Sequence, residues 1–161
     1  MSIVVSDTSP IRALHHLDLL GVLGQLFDRV IVPPAVRGEL EQPRARFEPV
    51  DLIQFTFVEV LAPHDIARVQ ELRDVLDAGE SEALVLALEI GAEALLIDES
   101  TGRSIAVEKG VPVIGTLGIL SRAKTRGYVP TIAPLLDQLR IELDFYVSEK
   151  LQNEFLRSVG E

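Results

Sequence analysis

The chain has 161 residues, 47% of them apolar and 25% charged, which is the balance of a single globular domain and not of a disordered chain. It has no cysteine, which excludes disulfides, thiolate metal centres and cysteine nucleophiles, and its three histidines leave little room for an imidazole metal site. A net charge of -10 argues against a basic surface that coats DNA, but leaves room for an enzyme whose metal site is built from carboxylates.

The first ten residues, MSIVVSDTSP, lack the basic and apolar regions of a signal peptide, and no apolar run approaches the roughly 20 residues needed to span a membrane. A cytoplasmic protein is the expectation. Ile3 to Val5 form a short β-branched run, read as a buried strand that ends at Ser6 and Asp7. Thr8, Ser9 and Pro10 then supply a capping hydroxyl and a first-turn proline. The helix they open carries Leu14, Leu17 and Leu20 and closes at Gly21. Val30 to Val32 form a second strand, and Pro33-Pro34 starts a helix bearing Val36, Glu39 and Leu40. Residues 55–61 read as an extra strand or an irregular crossing, and 65–76 as a helix.

Gly79 to Glu82 open a strongly apolar helix. Ala94 to Ile97 is a strand ending at Asp98-Glu99, and Ser100 or Thr101 caps a helix that stops at Gly110. Residues 111–114 are a strand, Gly115-Thr116 lead into a helix that Gly127 stops, and two further helices cover about 131–142 and 147–158. No linker or repeat divides the chain, so residues 1–161 are expected to form one domain, with the helices of about 131–158 packing on it or supplying an interface. Short, wholly apolar strands alternating with helices predict an α/β/α sandwich on a mostly parallel sheet. In such a sheet the ligand sits beyond the carboxyl ends of the strands.

Asp7 and Asp98 each follow a strand at that edge and should share a crevice if their strands are neighbours. Glu39 lies on the helix that follows the second strand, and Glu80 and Glu82 lie in the first turn of the apolar helix, where the macrodipole alone favours acids. Still, residues 71–99 hold nine acids and one base, so some of this charge must be brought together. Crowded carboxylates raise one another's pKa or recruit a cation, and hard oxygen ligands suit Mg²⁺ or Mn²⁺. Residues 100–130 reverse the sign, with five bases (Arg103, Lys109, Arg122, Lys124, Arg126) against one acid. An acidic metal site followed by phosphate-holding bases suits an enzyme acting on a polyanion. Solvated helix faces are the plain alternative.

Four stretches resemble the PIN domain, the fold of the VapC-type ribonuclease toxins, and within it a subfamily of PIN-like nucleic-acid-binding proteins. They are VVSDTSP, IVPPAVRGEL, DAGESEALVLALEIGAEALLIDE and GRSIAVEKGVPVIGTLGILSRAKTRG, together spanning residues 1 to about 135. The resemblance implies an α/β/α sandwich whose acids bind Mg²⁺ or Mn²⁺ and cut single-stranded RNA. It matches Asp7, Glu39, Glu82 and Asp98 to the family's four acids, with Glu80 competing for the third position and Glu99 beside the fourth. The third position carries Glu where the toxin branch usually carries Asp.

By the same likeness, Thr8 and Ser9 offer a hydroxyl to the first carboxylate or to the ion's water, and Thr116 reaches the same crevice. Arg103, Arg122, Lys124 and Arg126 would hold substrate phosphates. A homodimer and an antitoxin partner are implied too. Aromatic residues make up only 5%, with no tryptophan, so no platform for stacking bases is evident.

Two other functions compete. Asp7-Thr8 at the end of a first strand suits an aspartyl-phosphate enzyme, but Ser9 stands where such a phosphatase needs a second Asp. No lysine follows Val113-Ile114 as a receiver requires. The other is a binding module with no chemistry, its acids facing a basic partner.

Overall fold

A computed structural model describes residues 1–44 and 46–161. Its strands are β1 (Ile3–Ser6), β2 (Arg29–Val32), β3 (Val58–Val60), β4 (Ala94–Leu96) and β5 (Val113–Ile114). They form one sheet in the order β3-β2-β1-β4-β5, every pair parallel. Alternate residues of a strand face opposite sides. Val4, Val30, Val32, Ala94 and Leu96 accordingly face one apolar core, and Val5, Ile31, Leu95 and Ile97 face the other. Both faces are covered, as the uninterrupted apolar strands require.

The helices are α1 (Thr8–His16), α2 (Val22–Leu26), α3 (Pro34–Glu41), α4 (Ile66–Leu72), α5 (Ala78–Ile90), α6 (Ser100–Glu108), α7 (Thr116–Thr125), α8 (Ala133–Leu143) and α9 (Glu149–Ser158). Ile11 and Leu14 of α1, Ile119 and Leu120 of α7, and Leu136 and Leu139 of α8 fill the first core. Phe155 and Leu156 of α9 pack onto its margin. Val69 and Leu72 of α4, the apolar run Ala83–Ala87 of α5 and Ala106 of α6 fill the second. The expected α/β/α sandwich is therefore the architecture, and its sheet is parallel throughout. No helix is long and apolar enough to cross a membrane among the described residues.

The first helix departs from expectation. It stops at His16, and Leu17 and Leu20 enter the core from beyond its end. Asp18 takes the left-handed conformation at φ 58°. The Asp18 N–H then donates to the His15 carbonyl at 3.0 Å and the Leu19 N–H to the Leu14 carbonyl at 2.8 Å, a Schellman closure. Aspartate tolerates this backbone better than most residues. Gly21, expected to end α1, instead precedes the short α2, which the sequence reading omits.

Strand order places the site. From β1 the chain moves outward to β2 and β3, then crosses back over β1 to β4 and β5. The direction reverses between β1 and β4, and a crevice opens at their carboxyl ends. Asp7 and Asp98 follow these two strands.

Candidate active site

A cleft of about 950 Å³ opens at that edge. Seven acids line it: Asp7, Glu39, Asp77, Glu80, Asp98, Glu99 and, just after α8, Asp144, which pairs with Arg46. Each is set by a local rule. Asp7 leaves β1 with its N–H donating to the Leu96 carbonyl at 2.9 Å, which ties it to β4. Asp98 is held by three donors: Ser9 Oγ at 2.9 Å, the Thr116 N–H at 2.7 Å and Thr116 Oγ1 at 2.7 Å. Glu39 accepts from Thr8 Oγ1 at 2.5 Å. The Thr8 and Ser9 hydroxyls, expected on the first carboxylate or on the ion's water, donate to Glu39 and Asp98.

Asp77 caps α5 in a reciprocal box: the Glu80 N–H donates to Asp77 Oδ1 at 2.8 Å, and the Asp77 N–H donates to Glu80 Oε2 at 3.3 Å. Glu99, not Ser100 or Thr101, caps α6 by accepting from the Thr101 and Gly102 N–H groups.

Two glycines permit close approach. A Cβ on Gly79 would lie 3.1 Å from Glu39 Oε1 and 3.4 Å from Asp7 Oδ1. A Cβ on Gly115 would lie 3.1 Å from Asp98 Oδ1 and 2.9 Å from Arg103 Nη1.

Burial pushes the Asp7 carboxyl up to about 7. The Thr8 backbone N–H opposes this, and the charges of Glu80, Asp77 and Glu39 add to it. Glu80 also rises to about 7, through partial burial and then the charge of Asp77. Burial would raise Glu99 as well, but the Gly102 and Thr101 N–H groups outweigh it and hold the carboxyl below its usual range. The site therefore contains both readily ionised and reluctantly ionised carboxylates.

The structure brings Glu80 to the cleft, and not Glu82. Glu82 does not line the cleft: its Oε1 accepts from the Ala35 N–H at 3.2 Å, at the start of α3. Glu80 faces the cleft instead, because two residues along a helix turn a side chain by about 200°. Of the four bases expected on phosphate, Arg103 and Arg122 line the cleft. Lys124 is turned away, donating to the Val159 carbonyl and to Glu161. Arg126 ends α7 outside the cleft.

The sequence reading missed Asp77, Arg12, Arg44 and an aromatic wall of Phe47, Phe145 and Tyr146, the last 87% exposed. Asp77 was legible as the first half of an Asp-x-x-Glu capping box. The aromatics come from loops distant in sequence and carry no local signal.

In their present positions no three acids converge closely enough to enclose one ion among the described residues. The donor set nevertheless fits Mg²⁺ or Mn²⁺. These ions take hard oxygen ligands, keep several waters and need only one or two protein carboxylates. Asp7, buried and crowded by like charge, is the group such an ion would relieve, and the glycine at position 79 leaves the space beside it open. A comparison with curated proteins finds no match. A family model described as a PIN domain matches residues 3–161, nearly the whole sequence. With that match added to the parallel sheet and the acids at its switch point, the chain belongs to the PIN-domain family.

Proposed function

We propose that this protein is a divalent-metal-dependent endoribonuclease that hydrolyses phosphodiester bonds of single-stranded RNA. PIN domains are generally nucleases and generally use divalent metal ions. The observation that carries the reading here is the buried Asp7 carboxylate, held near neutrality among Glu39, Asp77 and Glu80 in an open cleft. Structural carboxylates are normally paired; this one has three like-charged neighbours and no salt bridge among the described residues.

Asp7, Glu39, Glu80 and Asp98 would hold the ion. When bound, Mg²⁺ or Mn²⁺ would neutralise charge developing on the phosphate and activate a water. Ser9 and Thr116 fix the rotamer of Asp98. One of these four carboxylates would orient or deprotonate the attacking water. Arg103 and Arg122 would hold flanking phosphates. As the toxin of a toxin–antitoxin pair, the protein would be silenced by a partner covering this cleft.

The test is Mn²⁺-dependent cleavage of single-stranded RNA. Asp7→Asn and Asp98→Asn should each lower the rate at least about a hundredfold, some 2.7 kcal/mol of barrier, with circular dichroism unchanged. Wild-type cleavage by both variants would overturn the assignment. The separate tethering of the acids favours a second reading, a binding module without chemistry. Calorimetry decides for it if Mn²⁺ gives no heat and Asp7→Asn changes nothing.

A further inference from the structure

Two arginines on the cleft wall have no role in the mechanism above. Arg12 of α1 is 8% exposed and yet charged. One Nη2–H donates to the Glu39 carbonyl at 2.7 Å, and its guanidinium carbon lies 4.7 Å from the centre of the Phe47 ring. Neither Arg12 nor the neighbouring Arg44 has a carboxylate within 4.0 Å among the described residues. Arg29, Arg37, Arg46 and Arg140 each pair with an acid and other exposed arginines do without one in water, but Arg12 is buried and, among the described residues, unpaired.

A buried charge with no counter-charge is expensive unless a ligand supplies one. Burial, and then the like charge of Arg44, hold the Arg12 guanidinium below its usual pKa, although Glu39 and Asp7 oppose the shift. Arg12 is anchored at both its Glu39 hydrogen bond and its Phe47 face, so it is preorganised, and it lines the cleft. This pair sits beside Glu39, at the β2 end of the acidic row. Arg103 stands at the opposite end, close to Gly115, which follows β5.

We propose that Arg12 and Arg44 form a phosphate subsite at the β2 end of the cleft, taking a backbone phosphate of a bound single strand next to the one that is cut. The identity of the strand rests on the nuclease reading; the anion site does not. Bases at both ends with acids between them would lay the strand across the row, from α3 toward α6.

The test is fluorescence anisotropy of a labelled single-stranded oligoribonucleotide, with metal removed by EDTA, over a series of salt concentrations. Arg12→Gln and Arg44→Gln should each weaken binding about tenfold at low salt and flatten the log K against log salt slope by about 0.7. Arg68→Gln, on the exposed face of α4, should change neither. Arg44 is exposed, so its variant tests the site even if Arg12→Gln unfolds, and Arg12→Lys retains the charge as a second check. Unchanged slopes in the Arg44 and Arg12 variants overturn the subsite. A melting temperature raised by inorganic phosphate in an Arg12-dependent way, with no slope change for the strand, means a free-anion site and overturns the strand assignment. Arg-dependent binding without Mn²⁺-dependent cleavage would sink the nuclease reading and leave the subsite standing; cleavage with unchanged slopes would do the reverse.

Discussion

Asp7 carries the clearest consequence for a single residue. Its carboxyl is raised from 3.8 to about 7 in the folded chain, so the folded state holds its proton more tightly than the unfolded state does. For such an acid, stability is greatest when the group is protonated. It falls as pH rises between the two values and is level above the upper one. Metal-free protein should therefore lose up to about 1.4 kcal/mol per pH unit through this window from Asp7 alone. Asp7→Asn should remove that slope and melt higher than the wild type at pH 8 in EDTA. Parallel melting curves for the two proteins from pH 5 to 8 would contradict it. Asp7, Glu39 and Asp98 were legible in the sequence because each sits just after a strand or on the helix that follows one. The choice between Glu80 and Glu82 was not, since it depends on the rotation of α5, and that is fixed by a cap at Asp77. Arg12 was hidden because a lone arginine in a helix reads as surface.

Elements were legible wherever apolar period and end signals agreed. α5, with its apolar run and a glycine at its end, matched closely. α1 did not, because the closing left-handed residue is an aspartate and the leucine stripe continues into the core after the helix has stopped. The capping box of α5 also has two opposed effects. Asp77→Ala removes an N-cap, which typically costs about 1 kcal/mol, but it also removes a like charge beside Asp7 and Glu80. The loss of stability should accordingly be larger at pH 5, where those two carboxyls are mostly protonated, than at pH 8, where relief of repulsion offsets the lost cap. Thermal melts of this variant at the two pH values measure the difference; an equal loss at both would refute it.

Across the molecule, fold class and sheet direction followed from strand composition, whereas strand order is invisible to any local pattern. So is the latch that ties the last helices down. Glu161 accepts from the Ile132 and Ala133 N–H groups at the start of α8 and from Lys124 of α7. The Lys124 hydrogen bond and then the Ala133 N–H hold its carboxyl down at about 2, from 4.5. Its contribution is complete above the unfolded value and fades as pH falls toward 2. Glu161→Gln should lower the melting temperature at pH 7 and have little effect at pH 2; a variant as stable as wild type at pH 7 would show that the latch carries no weight.

The reversal in strand order has a consequence for synthesis. Six of the seven carboxylates come from positions 7 to 99, but Asp98 takes its fixed orientation from Thr116, and the layer under α1 is completed only by α7 and α8. A polypeptide interrupted before position 116 carries those six acids and still lacks the finished edge. On the nuclease reading, a ribosome making this protein would thus meet a finished cutting edge only after most of the message had been read.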